Sequence, residues 1–206
     1  GRLHIAEHNM SKQLSPPSQI IKEPLYGAFC DPSSHSDLLR ASSSGLVNDK
    51  GTVFKFIDSN SRVIDFIEPM ITSDCDNANL EMYNSQGSTA IYRNFLNWLF
   101  ETFDVDEMEF RRNTLGHLNL SRGMKVLVTG CGLGYDLPLI LNCIGTEGEI
   151  HAQDLSRSMV ISASKLSEQE NICFSVSTAN SLPYVSRYFD AVFHFGGINL
   201  FGDIRK

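Results

Sequence analysis

Residues 124–136 read M-K-V-L-V-T-G-C-G-L-G-Y-D, a short β-branched run feeding directly into three glycines at alternate positions, Gly130, Gly132 and Gly134. An apolar, helix-compatible segment, Leu137–Ile144, follows at once. Strand, glycine turn and helix in that order predict a nucleotide-binding βα turn. Glycine is needed there because the backbone must turn sharply and touch a ligand where a Cβ would collide.

The spacing of the glycines separates cofactors. A dinucleotide fingerprint, G-x-G-x-x-G, requires glycine at 135, where this chain has Tyr135. The pattern is instead G-x-G-x-G, without the lysine of a phosphate-cradling loop. The next apolar run, Glu149–Gln153, ends in Asp154. A carboxylate at the tip of a second strand, roughly 20 residues beyond the glycine turn, is placed to accept hydrogen bonds from ribose hydroxyls. Asp154 also suits another duty, the N-cap of a helix starting near Ser156.

Composition removes several function classes. The net charge is −7 and no basic stripe is visible, which argues against nucleic-acid binding. No apolar run approaches the roughly 18–20 residues needed to span a bilayer. The start, G-R-L-H-I-A-E-H-N-M, has the pattern of neither a signal sequence nor a presequence. Five cysteines, Cys30, Cys75, Cys131, Cys143 and Cys173, form an odd set without a C-x-x-C pair. That spacing supports neither a disulfide framework nor a metal site, and it predicts a reducing cytoplasm.

Three blocks in order, V-L-V-T-G-C-G-L-G, I-H-A-Q-D-L-S-R-S-M and S-L-P-Y-V-S-R-Y-F-D-A-V, resemble the signature of class I S-adenosylmethionine-dependent methyltransferases. More closely, the chain is similar to the small-molecule group that includes the ubiquinone and menaquinone biosynthesis methyltransferases. The resemblance runs from about Leu115 to the last residue. It implies an α/β, Rossmann-like sheet of seven strands, with S-adenosylmethionine lying across the carboxyl ends of the first strands.

Carried over residue by residue, Gly130, Cys131, Gly132 and Gly134 match the turn under the methionine part of the cofactor. Asp154 matches the ribose-binding acid, and Leu155 and Met159 match positions near the adenine. Thr178, Ala179 and Asn180 match the loop after strand three, where the family usually has an acid followed by alanine. Ala179 and Asn180 are therefore expected cofactor contacts, whereas Thr178 stands where the acceptor for the adenine amino group belongs. Val128 is a second departure, at a place where the family often carries Asp or Glu. In the family Cys131 is a small residue beneath the cofactor, and no basic neighbour marks it as a nucleophile.

Upstream the organisation changes. Residues 1–80 read as an N-terminal arm with a β-hairpin, and 81–206 as a helical lead-in with the first four strands of the methyltransferase domain. Ser-Pro-Pro-Ser, Cys-Asp-Pro-Ser-Ser-His and Ser-Ser-Ser-Gly mark residues 1–47 as extended arm and loop. Two β-rich runs, Val53–Ile57 and Val63–Ile67, flank the polar turn Asp58-Ser59-Asn60-Ser61 and predict a hairpin. Its layout faintly resembles the zinc-ribbon-like module that precedes some methyltransferase domains. Of the ligands expected there only Cys30 remains, so no metal is expected.

Residues 88–103 carry apolar side chains at i, i+4 spacing, a broad helical face with Ser88 or Thr89 as candidate cap. Such a helix either packs on the sheet or lids its ligand end, and Tyr83 or Tyr92 could then meet cofactor or acceptor. Ile172–Val176 reads as strand three and Asp190–Phe195 as strand four, with His194 on the sheet face and Asn199 beyond Gly196-Gly197. The resemblance calls for three further strands, so a sheet that stops here is expected to be C-terminally incomplete, with strand four an unpaired edge. Poor solubility or self-association, and no transferase activity, are expected of that edge form.

The function expected is methyl transfer from S-adenosylmethionine to a small-molecule acceptor, with no residue assigned a catalytic role. The alternative is a cofactor-binding, non-catalytic scaffold, which Val128 and Thr178 favour.

Overall fold

The computed structural model describes residues 23–57, 63–68, 73–167 and 169–201. A 3-10 helix, Glu23–Ala28, leads into strands β1 (Arg40–Ser42), β2 (Gly45–Val47), β3 (Val53–Lys55) and β4 (Val63–Asp65). Helices α1 (Asp74–Asn84), α2 (Ser88–Thr102) and α3 (Glu107–Gly116) follow. Strands and helices then alternate through β5 (Lys125–Thr129), α4 (Leu137–Ile144), β6 (Glu149–Asp154), α5 (Arg157–Leu166) and β7 (Ile172–Val176), ending with β8 (Ala191–Phe193).

Strands β4, β7, β6, β5 and β8 pair in that order, all parallel, in the Rossmann-like sheet that the resemblance implies. A parallel sheet must be covered on both faces. Alternate residues of β5 and β7 divide accordingly. Val126, Val128, Ile172, Phe174 and Val176 meet Ile140 and Ile144 of α4 and Val160 and Ala163 of α5. Leu127 and Cys173 point the other way, where Phe29, Leu46, Phe54, Phe66 and Tyr184 close the core. The N-terminal region thus supplies part of the second covering layer.

The hairpin behaves in a way that alternation does not reveal. Phe56 bridges Ile64 in antiparallel fashion, and Ile57 N–H donates to Val63 O at 3.0 Å. Its turn, 58–61, lies outside the described residues. Beyond that meeting point the arms part. Strand β3 pairs with β2, Phe54 opposite Leu46, whereas β4 pairs with β7, Ile64 opposite Ser175. The second arm is therefore the edge of the central sheet. Alternation reports which side of a strand is buried, not which sheet it joins.

A further departure has a local cause. The serine-rich stretch expected to be loop forms the hairpin β1–β2, with Ser42 opposite Gly45. Glycine is required there because a Cβ at 45 would fall 2.0 Å from Phe54 O. In strand four Phe193 is buried and Val192 is 55% exposed. Among the described residues β8 has a neighbour only on its β5 side.

Helix α2 starts at Gly87 in the left-handed region, φ 81°, and neither Ser88 nor Thr89 caps it. The Ser88 hydroxyl instead donates to Tyr83 O at 2.6 Å, joining α2 to α1. The helix packs against α1 and α5. Its outer residues Ile91 and Trp98 remain exposed, while Leu96 is buried. Of the two placements open to it, α2 takes the one over the ligand end.

Candidate cofactor cleft

A cleft of about 420 Å³ opens at the carboxyl ends of β5, β6 and β7. Strand β5 lies between β6 and β8, so chain connections diverge to either side of it. Such a switch point is where open α/β sheets leave a crevice for ligands.

The three glycines of the turn have φ of 65°, 52° and 79°, a region that side chains strain to enter. Each is small for its own reason. A Cβ at Gly130 would lie 3.0 Å from the His194 ring. A Cβ at Gly134 would lie 2.9 Å from that of Ala163, so this glycine serves the packing of α5. A Cβ at Gly132 meets only the Tyr92 ring, at 3.5 Å, across the cleft. Gly132 is the position where backbone faces the ligand space.

Asp154 joins the turn to β6. Gly132 N–H donates to its Oδ2 at 2.8 Å and Ser156 N–H to its Oδ1 at 2.9 Å. Burial pushes this carboxyl above its ordinary range, although the backbone donors of Ser156 and Gly132 oppose the shift. Helix α5 is capped by Ser156, whose Oγ accepts from Met159 N–H at 3.3 Å. Asp154 is therefore not the N-cap.

Of the nine residues carried over as cofactor contacts, Gly130, Gly132, Asp154, Leu155, Met159, Ala179 and Asn180 line the cleft. Gly134 packs behind it. Cys131 is buried, and desolvation together with the nearby Asp154 pushes its thiol well up. That environment gives a neutral thiol and not a nucleophile. Val128 is buried in the core.

Several further residues complete the cleft, and sequence reasoning missed Gln153 and Asp76 among them. Gln153 stitches three strand ends together, its Oε1 accepting from Thr129 Oγ1 at 2.7 Å and its Nε2 donating to Ser177 O. Asp76, from the first turn of α1, lines the cleft and accepts from Thr178 Oγ1 at 3.0 Å. The opposite wall is aromatic and apolar, with Tyr83, Tyr92, Phe95, Leu99, Phe195 and Phe201. His194 also lines it, its Nδ1 donating to Thr129 O at 2.8 Å. The side chain of Asn199 lies outside what is described.

Below the glycine turn Arg111 is 3% exposed and pairs through Nη1 with both oxygens of Asp136, each at 2.8 Å. Its Nη2 meets Glu107 Oε1 at 2.8 Å. Arg93 of α2 pairs with the same Glu107 at 3.1 Å and lies over the Tyr135 ring at 3.7 Å. The network ties α2 and α3 to the end of the turn. Nothing in the spacing of these residues identifies it.

A family model described as a methyltransferase domain matches residues 126–206, from β5 onward. No protein of curated function matches the chain. Among solved structures it is similar to a SAM-dependent methyltransferase from Aquifex aeolicus, 30% identical over 41% of this chain and 46% of that one, TM-score 0.38. The YcgJ protein from Bacillus subtilis is 25% identical over 47% of this chain and 42% of that one, TM-score 0.43. A phosphoethanolamine N-methyltransferase 2 from Haemonchus contortus is 16% identical over 59% of this chain and 29% of that one, TM-score 0.47. The chain spans less than half the length of each of these three.

Proposed function

We propose that these residues form the cofactor-binding part of an S-adenosylmethionine-dependent methyltransferase acting on a small, largely apolar acceptor. One observation carries the reading. Gly132, Asp154 and Asn180, expected from the glycine turn, the tip of the second strand and the loop after the third, line one cleft at the switch point of the sheet.

The residues present fit the cofactor. Gly132 leaves backbone open to the cleft where a Cβ would intrude, and Asp154 offers carboxylate oxygens to ribose hydroxyls. Leu155 and Met159 supply apolar contacts for a purine ring. When bound, S-adenosylmethionine supplies a methyl group already activated by its sulfonium. The wall of Tyr92, Phe95, Leu99 and Phe201 excludes water and orients the acceptor. Orientation can supply much of the rate, with effective molarities that reach ~10⁵ M or more. A base is needed only for an acceptor protonated at working pH. Free cysteines at all five positions suit a reducing cytoplasm.

The test is calorimetric titration. S-adenosylhomocysteine is expected to bind saturably without competition from NAD. Equal binding of NAD, or no binding of adenosyl ligands, overturns the reading. A second reading, a cofactor-binding scaffold without transferase activity, draws on Val128, which brings no carboxylate to the turn. Saturable transfer of label from S-adenosylmethionine to a small-molecule extract, abolished by Gly132→Arg, excludes the scaffold.

A further inference from the structure

The carboxylate of Asp76 reaches the cleft from outside all three sequence blocks. It is 5% exposed, and it lines the cleft beside Ala179 and Asn180. Its hydrogen bonds are unevenly shared. Oδ2 accepts from Thr178 Oγ1 at 3.0 Å, Ser73 N–H at 3.4 Å and Asn180 Nδ2 at 3.5 Å. Oδ1 has one long contact, Asn180 Nδ2 at 3.4 Å. A carboxylate offers about four lone-pair sites, and a buried one is tolerated only when donors fill them. Oδ1 therefore keeps acceptor capacity.

Thr178 is buried beside the cleft and is not among the residues that line it. Its hydroxyl hydrogen goes to Asp76, and its oxygen accepts from Asn180 N–H at 3.1 Å. The threonine that stands in place of an acid is engaged in orienting an acid from elsewhere. Leu155 and Met159 line the same cleft and offer apolar contact to a flat ring. A flat heteroaromatic ring with a projecting amine would satisfy both the apolar contacts and the spare oxygen.

We propose that Asp76 accepts the hydrogen bond of the exocyclic amine of adenine, so that α1, and not the loop after β7, supplies the adenine-selecting carboxylate. The assignment rests on the reading of the cleft as an adenosyl-cofactor site. A 6-oxo purine places an oxygen where the amine would stand, and the carboxylate repels it.

The experiment compares S-adenosylhomocysteine with S-inosylhomocysteine by calorimetry. The unaltered protein is expected to prefer the amino form by about tenfold or more, the scale of one hydrogen bond to a charged group. Asp76→Asn, nearly isosteric and able to face either purine, is expected to abolish most of that preference. Ser73→Ala removes the helix cap, lowers the melting temperature and leaves the preference intact. If Asp76→Asn does not fold, Asp76→Glu, which displaces the oxygens by a methylene, is expected to lose the preference as well. Equal binding of the two ligands by the unaltered protein overturns the inference while the cofactor reading stands. Full preference retained in the folded Asp76 variant overturns it too. Binding of neither ligand defeats the cofactor reading, and this inference with it.

Discussion

At the glycine-turn end of the cleft the polar groups come from one stretch of chain, Gly130 to Asp154, whereas at the other end Thr178 meets Asp76 from 102 residues earlier. The first end is held by local geometry, a glycine turn whose backbone N–H reaches a carboxylate on the adjoining strand. The second is held by a tertiary contact between α1 and the loop after β7. Sequence spacing encodes the first kind of site directly. For the second kind, a motif scan registers Thr178 in place of an acid and gives no sign of the carboxylate that meets it from α1.

The difference can be probed through stability and ligand binding together. The heaviest loss is expected from Arg111→Ala, which strands Asp136 beneath the glycine turn and leaves Glu107 with Arg93 alone. Removing one partner of a buried pair costs about 3–5 kcal/mol, read as a large drop in melting temperature. An unchanged melt would break the claim that this network fastens the helical lead-in to the turn.

Within the turn, Gly134→Ala and Gly132→Ala separate packing from binding. Both force a side chain to positive φ, at about 1–2 kcal/mol. Gly134→Ala adds overpacking against Ala163, for a total of about 2–5 kcal/mol. Gly132→Ala has only the Tyr92 ring to meet, so its main effect is expected on ligand affinity. The reverse pattern would exchange the roles assigned to the two glycines.

The second covering layer is expected to be acid-sensitive. His151 is fully buried among Phe29, Tyr184, Tyr188 and Phe189, and neither ring nitrogen has a hydrogen-bond partner among the described residues. Desolvation lowers its pKa from 6.5 to about 3. Glu149 Oε2 lies 4.0 Å from Nε2, but a neutral ring forms no ion pair with it. Between these pKa values the unfolded chain binds the proton that the folded chain refuses, so stability rises with pH across that window. It is fully present above about 6.5 and is lost by about 1–2 kcal/mol on acidification to about pH 5. His151→Phe is expected to flatten this part of the profile in denaturant melts at stepped pH, and an unchanged slope would assign the sensitivity elsewhere.

Residues 125–176 were legible because each signal there is local: a β-branched run, a glycine at a forced φ, an acid at a strand tip. Alternation in 53–67 was also legible as two strands. Which sheet each strand joined was not, because pairing depends on distant partners such as Ser175. Asp76, Arg111 and Gln153 carried no signal for the same reason. Asp76 reads as an ordinary first-turn acid of a capped helix, a role it also fills. The aromatic run of α2 has helical spacing whether it packs on a sheet or covers a cleft.

The most direct test of the cleft as an adenosyl-cofactor site is a paired calorimetric titration of S-adenosylhomocysteine into the unaltered protein and Asp154→Ala, with melts to verify that both are folded. The account predicts saturable binding to the first and affinity lower by about tenfold or more in the second, the scale of a lost hydrogen bond to a charged group. Absence of binding to the unaltered protein, or equal affinity in both, would contradict it.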